Sequence, residues 1–343
     1  MSLVMRKPFT RWGYRKKVVN PKKVVKLPLS MLHVSERCGR GCNYCAIDAK
    51  STDAQMPWPL FMGILKSKQV IFFRNPGLFL GDGEVIIYRD AKEGKNLLDI
   101  LEMLLCRMKL HVQFTTAGLV PVNIQEGRDV LMGLRDLGHY LSRLTVNLSF
   151  NFLHGLSHSE YMQCMGETLS AMLDSRFAPT VSMNMMQDPS TRPGSTEYEH
   201  LVCSAAELHE KYGVGGGDVL TVGPFGRALR YYRFEADSRP EEERAADICL
   251  CPVYKSRDAP LFGVRANGDI LPACLAMGER GATIGNVLTN DASQIHSLLE
   301  EFLLEHILRT ANRPDTLQMC EHHMRWNKHF SSERSENPII VLP

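Results

Sequence analysis

KNLLDILEMLLCRMKLHVQFTTAG, Lys95 to Gly118, holds a complete structural unit. Apolar residues recur at helical spacing across KNLLDILEMLLCRMK, and LHVQFTTAG then reads as a strand. Working outward, IQEGRDVLMGLRDLGHYLSR (124–143) reads as a helix and LTVNLSF (144–150) as a strand. SEYMQCMGETLSAMLDS leads to PTVSMNMM, and TEYEHLVCSAAELHEKYG leads to DVLTVGPFG. Toward the N-terminus, LPLSMLHVS (27–35) and GLFLG (77–81) read as strands, and VIFF (70–73) could extend the second of them. Helix and strand alternating through short connections is the pattern of parallel βαβ units. The strands look like near-continuous apolar runs, as expected where both faces of a sheet are covered. The expectation is an α/β fold, a partial (β/α)6 TIM-like barrel.

The rhythm stops after Ala228. FEADSRPEEERAAD (234–247) is charged and linker-like, and LFGVRANGDILPAC (261–274) reads as a hairpin turned at Asn267-Gly268. An amphipathic helix around IHSLLEEFLLEHILRTA follows, then MCEHHMRW. The expected domains are therefore a basic arm (1–27), a barrel (28–230), a charged linker (231–248) and a small α+β unit (249–343).

Composition is that of a globular protein, 44% hydrophobic and 23% charged over 343 residues. The N-terminus has no apolar core of signal-peptide length, and no apolar run is long enough to span a bilayer, so a cytoplasmic location without membrane partners is expected. There the 10 cysteines are expected as thiols or metal ligands, not disulfides. The net charge of +2 conceals an asymmetry: residues 1–26 hold nine basic side chains and no acidic one, leaving −7 on the rest. With Phe9, Trp12 and Tyr14 interleaved, the arm invites an RNA or acidic-peptide reading, but a solvated extension is the favoured one.

SERCGRGCNYCAID (35–48) packs Cys38, Cys42 and Cys45 within eight residues, just beyond the first expected strand. Three thiolates can reach one metal centre, yet structural zinc and ferredoxin clusters both want four ligands, and no fourth is obvious nearby. A cluster held by three leaves one iron open. GDGE (81–84) ends the second expected strand, so both motifs are placed on one rim.

Cys38-x3-Cys42-x2-Cys45, with Tyr44 before the last cysteine, resembles the signature of radical S-adenosylmethionine enzymes. The resemblance implies a 4Fe-4S cluster whose fourth iron is chelated by S-adenosylmethionine. It implies reductive cleavage of that cosubstrate to a 5′-deoxyadenosyl radical, which abstracts a substrate hydrogen atom, and a flavodoxin- or ferredoxin-like electron donor. Gly81, Asp82, Gly83 and Glu84 stand where the family has Gly-Gly-Glu-Pro; Asp82 and Val85 depart from it. There the glycines would admit the methionine moiety and Glu84 would accept a hydrogen bond from its ammonium. Tyr44 would line the adenine, and Thr116, Asn147 and Ser149 fall where the family contacts methionine or ribose.

The C-terminal region resembles the SPASM/Twitch auxiliary-cluster domains, on GVRANGDILPAC, IGNV (284–287) and the helix that follows. That implies one auxiliary iron–sulfur cluster on Cys251, Cys274 and Cys320 plus Cys249 or His323, with zinc at the same residues the bland alternative. Cys106, Cys164 and Cys203 read as core packing on helices. The reaction class implied is oxidation, crosslinking or epimerisation of a peptide or small metabolite. An RNA-modifying radical enzyme and a zinc-stabilised nucleic-acid-binding module are the alternatives.

Overall fold

The computed structural model describes residues 25–42, 45, 49–72, 77–121, 124–150, 156–174, 176–187, 194–221, 262–272, 283–311 and 335–342. Its centre is one mostly parallel sheet. Strands β1 (Leu27–Ser35), β2 (Val70–Phe72), β3 (Leu78–Asp82), β6 (Val112–Thr116), β7 (Leu144–Phe150), β8 (Thr180–Gln187) and β9 (Gly215–Thr221) carry the repeating unit. A small ribbon, β4 (Arg89–Asp90) with β5 (Lys95–Asn96), lies outside that sheet. The C-terminal region adds β10 (Phe262–Val264), β11 (Asp269–Pro272) and β12 (Gly285–Asn286).

The order is β12-β11-β10-β1-β3-β6-β7-β8-β9. All pairs from β10 to β9 are parallel, and only β10–β11 and β11–β12 are antiparallel. Among the described residues the order is an open path. The fold is mixed α/β, with six consecutive parallel strands from β1 to β9. VIFF does not extend the second strand: β2 pairs on its own with Leu27–Leu29, while β3 takes the farther part of β1.

The helices are α1 (Trp58–Lys66), α2 (Leu97–Leu101), α3 (Ile124–Gly133), α4 (His158–Leu173), α5 (Thr196–Tyr212) and α6 (Ala292–Ala311). Local chemistry starts and stops them. Asn96 and Asp99 form a reciprocal capping box on α2, and Ser157 with Glu160 does the same on α4. Left-handed Gly213, φ +67°, ends α5. The helix expected over 95–109 starts as α2 and continues as a π-helical turn through Arg107. The helix expected over 124–143 becomes a 3-10 helix after Gly133, broken at Gly138 with φ +54°. Helix α1, which is not among the expected elements, follows Pro57 and buries Leu60, Phe61 and Ile64 at helical spacing; the Asp90 carboxylate accepts its Trp58 amide at 2.6 Å.

Burial along β7 alternates strictly. Leu144, Val146, Leu148 and Phe150 are buried, and Thr145, Asn147 and Ser149 are partly exposed. The expectation of apolar runs covered on both faces holds for β1 and β10, which are buried almost throughout, and is corrected for β6 and β7: TVNLSF has a strand period of two, with one face packed and the other polar. The packed face belongs to one continuous core with the buried leucines of the covering helices, and Phe150 meets the Tyr161 ring of α4 at 5.5 Å between centroids. Each fully buried side chain of this size contributes roughly 1.5–3 kcal/mol.

The hairpin expected at Asn267-Gly268 is present. Gly268 has φ +89° and its amide donates to Arg265 O at 2.9 Å. Strand β10 adds directly to β1, so this hairpin extends the same sheet. The arm through Val24, the linker 231–248, and Cys249, Cys251, Cys274, Cys320 and His323 lie outside the described residues. Among the described residues no helix is long and apolar enough to cross a membrane.

Candidate active site

Parallel pairing sets Ser35 opposite Asp82, so the cysteine loop and the GDGE segment leave neighbouring strands side by side. They are also bonded to each other. The Gly83 amide donates to Ser35 O and the Glu84 amide to Arg37 O, both at 2.9 Å. A Cβ on Gly83 would stand 2.7 Å from the Glu36 carbonyl carbon, 2.8 Å from Arg37 O and closer still to Ser35 O. Glycine is thus needed here for backbone to lie on backbone, a contact with the cysteine loop itself. Gly81 is tight for another reason, since its Cβ would meet the Phe79 ring.

Glu84 is 3% exposed and Thr116 is 2% exposed. The Thr116 hydroxyl donates to Glu84 Oε1 at 2.6 Å, and the Ala117 amide donates to Oε2 at 3.0 Å. The Gly118 amide returns to Thr116 Oγ1 at 3.0 Å, and Gly118, φ +77°, backs onto Thr168 of α4. Burial pushes the Glu84 carboxyl up from its ordinary range; the Thr116 and Ala117 bonds and the Arg40 charge pull it back down. A carboxylate offers about four lone-pair positions, so Glu84 can still accept from a bound cation. Thr116 serves as a donor to Glu84. Ala117 and Arg40 were not anticipated: a backbone amide and a guanidinium in a glycine-rich loop leave no pattern in the sequence.

The Cys38 thiol is pushed up to about 12, first by burial and then by the Glu84 carboxylate. An uncompensated thiolate is disfavoured there; a cationic partner would reverse that balance. The Cys38 amide donates to Lys50 O at 3.0 Å, and the Ala49 amide donates to Cys45 Sγ at 3.3 Å. An N–H aimed at sulfur favours a metal-bound thiolate. The donor set therefore suits a thiolate-held cluster. Among the described residues, however, no three Cys, His, Asp or Glu side chains are gathered closely enough to hold a metal ion.

Asn147 sits one layer from Thr115 and Ser182 on the polar face, and its Oδ1 accepts from Ser182 Oγ at 2.6 Å. Ser149 is on the same face nearer the strand end, and its carbonyl accepts from the Tyr161 hydroxyl at 3.0 Å. Both stand on β7, with β6 between them and the β3 end that carries Glu84. Tyr44 lies outside the described residues. Of the helix cysteines, Cys106 and Cys164 pack partly against the core, but Cys203 is exposed, which corrects its reading as a core residue.

No family model matches the chain, and no curated protein matches it. Among solved structures, the crystal structure of BtrN in complex with AdoMet and 2-DOIA has 11% sequence identity to it and a TM-score of 0.30. The match covers 92% of this chain and 99% of that one. Likeness at that level carries no argument about fold, site or chemistry.

Proposed function

We propose that the protein is a radical S-adenosylmethionine enzyme that acts on a carbon–hydrogen bond of a peptide or small metabolite. One observation carries the reading: a loop with Cys38, Cys42 and Cys45 leaves β1 and is bonded, backbone to backbone, to the Gly83-Glu84 end of the adjacent parallel strand. Reactive groups of parallel α/β sheets collect at this edge, beyond the carboxyl ends of the strands. In this reading Cys38, Cys42 and Cys45 hold a 4Fe-4S cluster and leave one iron free for S-adenosylmethionine. When bound, the cluster supplies the electron that splits the cosubstrate, chemistry no side chain offers.

The chain's own contributions are positioning and charge. Glu84, held from below by Thr116 and Ala117, presents a carboxylate to the cosubstrate's ammonium. Gly83 keeps that carboxylate in fixed relation to the cysteines. Tyr44 lines the adenine, while Asn147 and Ser149 face the ribose from the polar side of β7. Gly81 and Asp82 form the strand end that carries this edge. An auxiliary cluster on Cys251, Cys274 and Cys320, with Cys249 or His323, and a flavodoxin- or ferredoxin-like donor complete the proposal.

The test is anaerobic reconstitution with iron and sulfide, then assay of 5′-deoxyadenosine from S-adenosylmethionine under reducing conditions. Wild type should be brown and form the nucleoside, and Cys38→Ala, Cys42→Ala and Cys45→Ala should each abolish it. Stoichiometric zinc with no nucleoside product would sink the reading.

A further inference from the structure

We infer that Arg265, on the C-terminal hairpin, is a positioning residue for the cysteine loop 229 residues away in sequence. Its Nε donates to Glu36 Oε1 at 3.1 Å, and the Ala266 amide reaches the same oxygen at 3.4 Å. Glu36 stands two residues before Cys38. The pair is almost enclosed, with side chains 9% and 16% exposed. A guanidinium and a carboxylate at that depth are costly to desolvate and are kept together by each other; removing one strands the other.

Both partners are mounted on rigid backbone. Arg265 N donates to Asp269 O at 2.8 Å and Arg265 O accepts from Gly268 N, which close the hairpin turn around it. The Asn286 side chain then ties that turn down, donating to Asn267 O at 3.2 Å and to Asp269 Oδ1 at 2.9 Å. On the other side, the Glu36 amide donates to Ala54 O at 2.9 Å. Residues 35–37 are therefore gripped between two structures. The end of β3 holds their carbonyls, and the hairpin holds the Glu36 carboxylate. The same β10 pairs in parallel with β1, so strand and side chain act on the loop from one side.

The consequence is that the C-terminal hairpin belongs to the mount of the first cysteine. It adds to the proposed function without depending on it, because the grip is tested in protein free of metal.

The experiment uses full-length, metal-free protein and follows iodoacetamide alkylation of individual cysteines by mass spectrometry. In Arg265→Gln, alkylation of Cys38 is expected to accelerate about tenfold or more as the loop opens. Half-buried Cys164, which packs against the core from α4, should be unchanged, since it reports loosening of the whole fold. Glu36→Gln should behave likewise. Arg265→Lys, which keeps the charge, should recover most of the protection, and Glu36→Gln with Arg265→Gln should be milder than either alone. An unaltered Cys38 rate in a folded Arg265→Gln protein overturns the inference. So does parallel acceleration of Cys38 and Cys164, which would mean Arg265 merely stabilises the fold. In reconstituted protein, Arg265→Gln should also shift the electron paramagnetic resonance signal of the reduced cluster. If wild type takes up no iron but the alkylation pattern holds, the functional reading fails and this inference stands.

Discussion

Gly83→Ala tests the junction on which the site depends. The backbone at Gly83 lies outside the left-handed region, so alanine can adopt its dihedrals and the obstacle is steric alone. The added methyl would meet three backbone atoms of residues 35–37, two of them at 2.7 and 2.8 Å. Ordinary contact begins near 3.4 Å, so β3 and the cysteine loop must separate by the better part of an ångström. Overpacking of this kind costs about 1–3 kcal/mol. The displacement also weakens the Gly83 N to Ser35 O and Glu84 N to Arg37 O bonds, each contributing about 1 kcal/mol. Loss of glycine's freedom in the unfolded chain returns roughly 0.4–1 kcal/mol. The net destabilisation expected is about 3 kcal/mol, which for a chain of this length lowers Tm by about 4 °C. Urea unfolding and a thermal melt measure it, with iron content after reconstitution falling in parallel. Gly166→Ala is the control: it lies within α4, its close neighbours among the described residues are the hydroxyl and ring carbon of Tyr212 at the end of a side chain, and it should be neutral or slightly stabilising. Equal stability and equal iron content for wild type and Gly83→Ala would refute the reasoning.

Glu84 has a folded-state pKa above its ordinary 4.5, so the native state holds that proton more tightly than the unfolded chain does. Its contribution to stability is most favourable below 4.5 and is lost as pH rises through the folded value. The stability of wild type relative to Glu84→Gln should therefore decline as pH rises above 4.5 and through the folded value, and parallel urea-unfolding profiles would contradict this. Asn286→Ala removes the bonds to Asn267 O and Asp269 Oδ1 and the one from the Leu288 amide, for about 2 kcal/mol. Hydrogen exchange at the Gly268 and Val287 amides should speed up accordingly, and undiminished protection would show that the turn holds itself.

Sequence alone determined the succession of the main strands and helices, though not α1, the β4–β5 ribbon or β2 as a separate strand. Strand, helix and turn signals in 95–118 and its neighbours are local: apolar period, capping residues such as Asn96 and Ser157, and glycines at Gly213 and Gly268. The cysteine spacing was equally legible, because ligands from one short loop must lie close along the chain. The tertiary structure decided what depends on side chains meeting across the sheet. Parallel register put Ser35 beside Asp82, and that made Gly83 a contact with the cysteine loop. It turned Thr116 into a partner of Glu84. It also brought Arg265 to Glu36. A lone arginine and a lone glutamate form no pattern along the chain; they become a pair only once β10 is laid against β1.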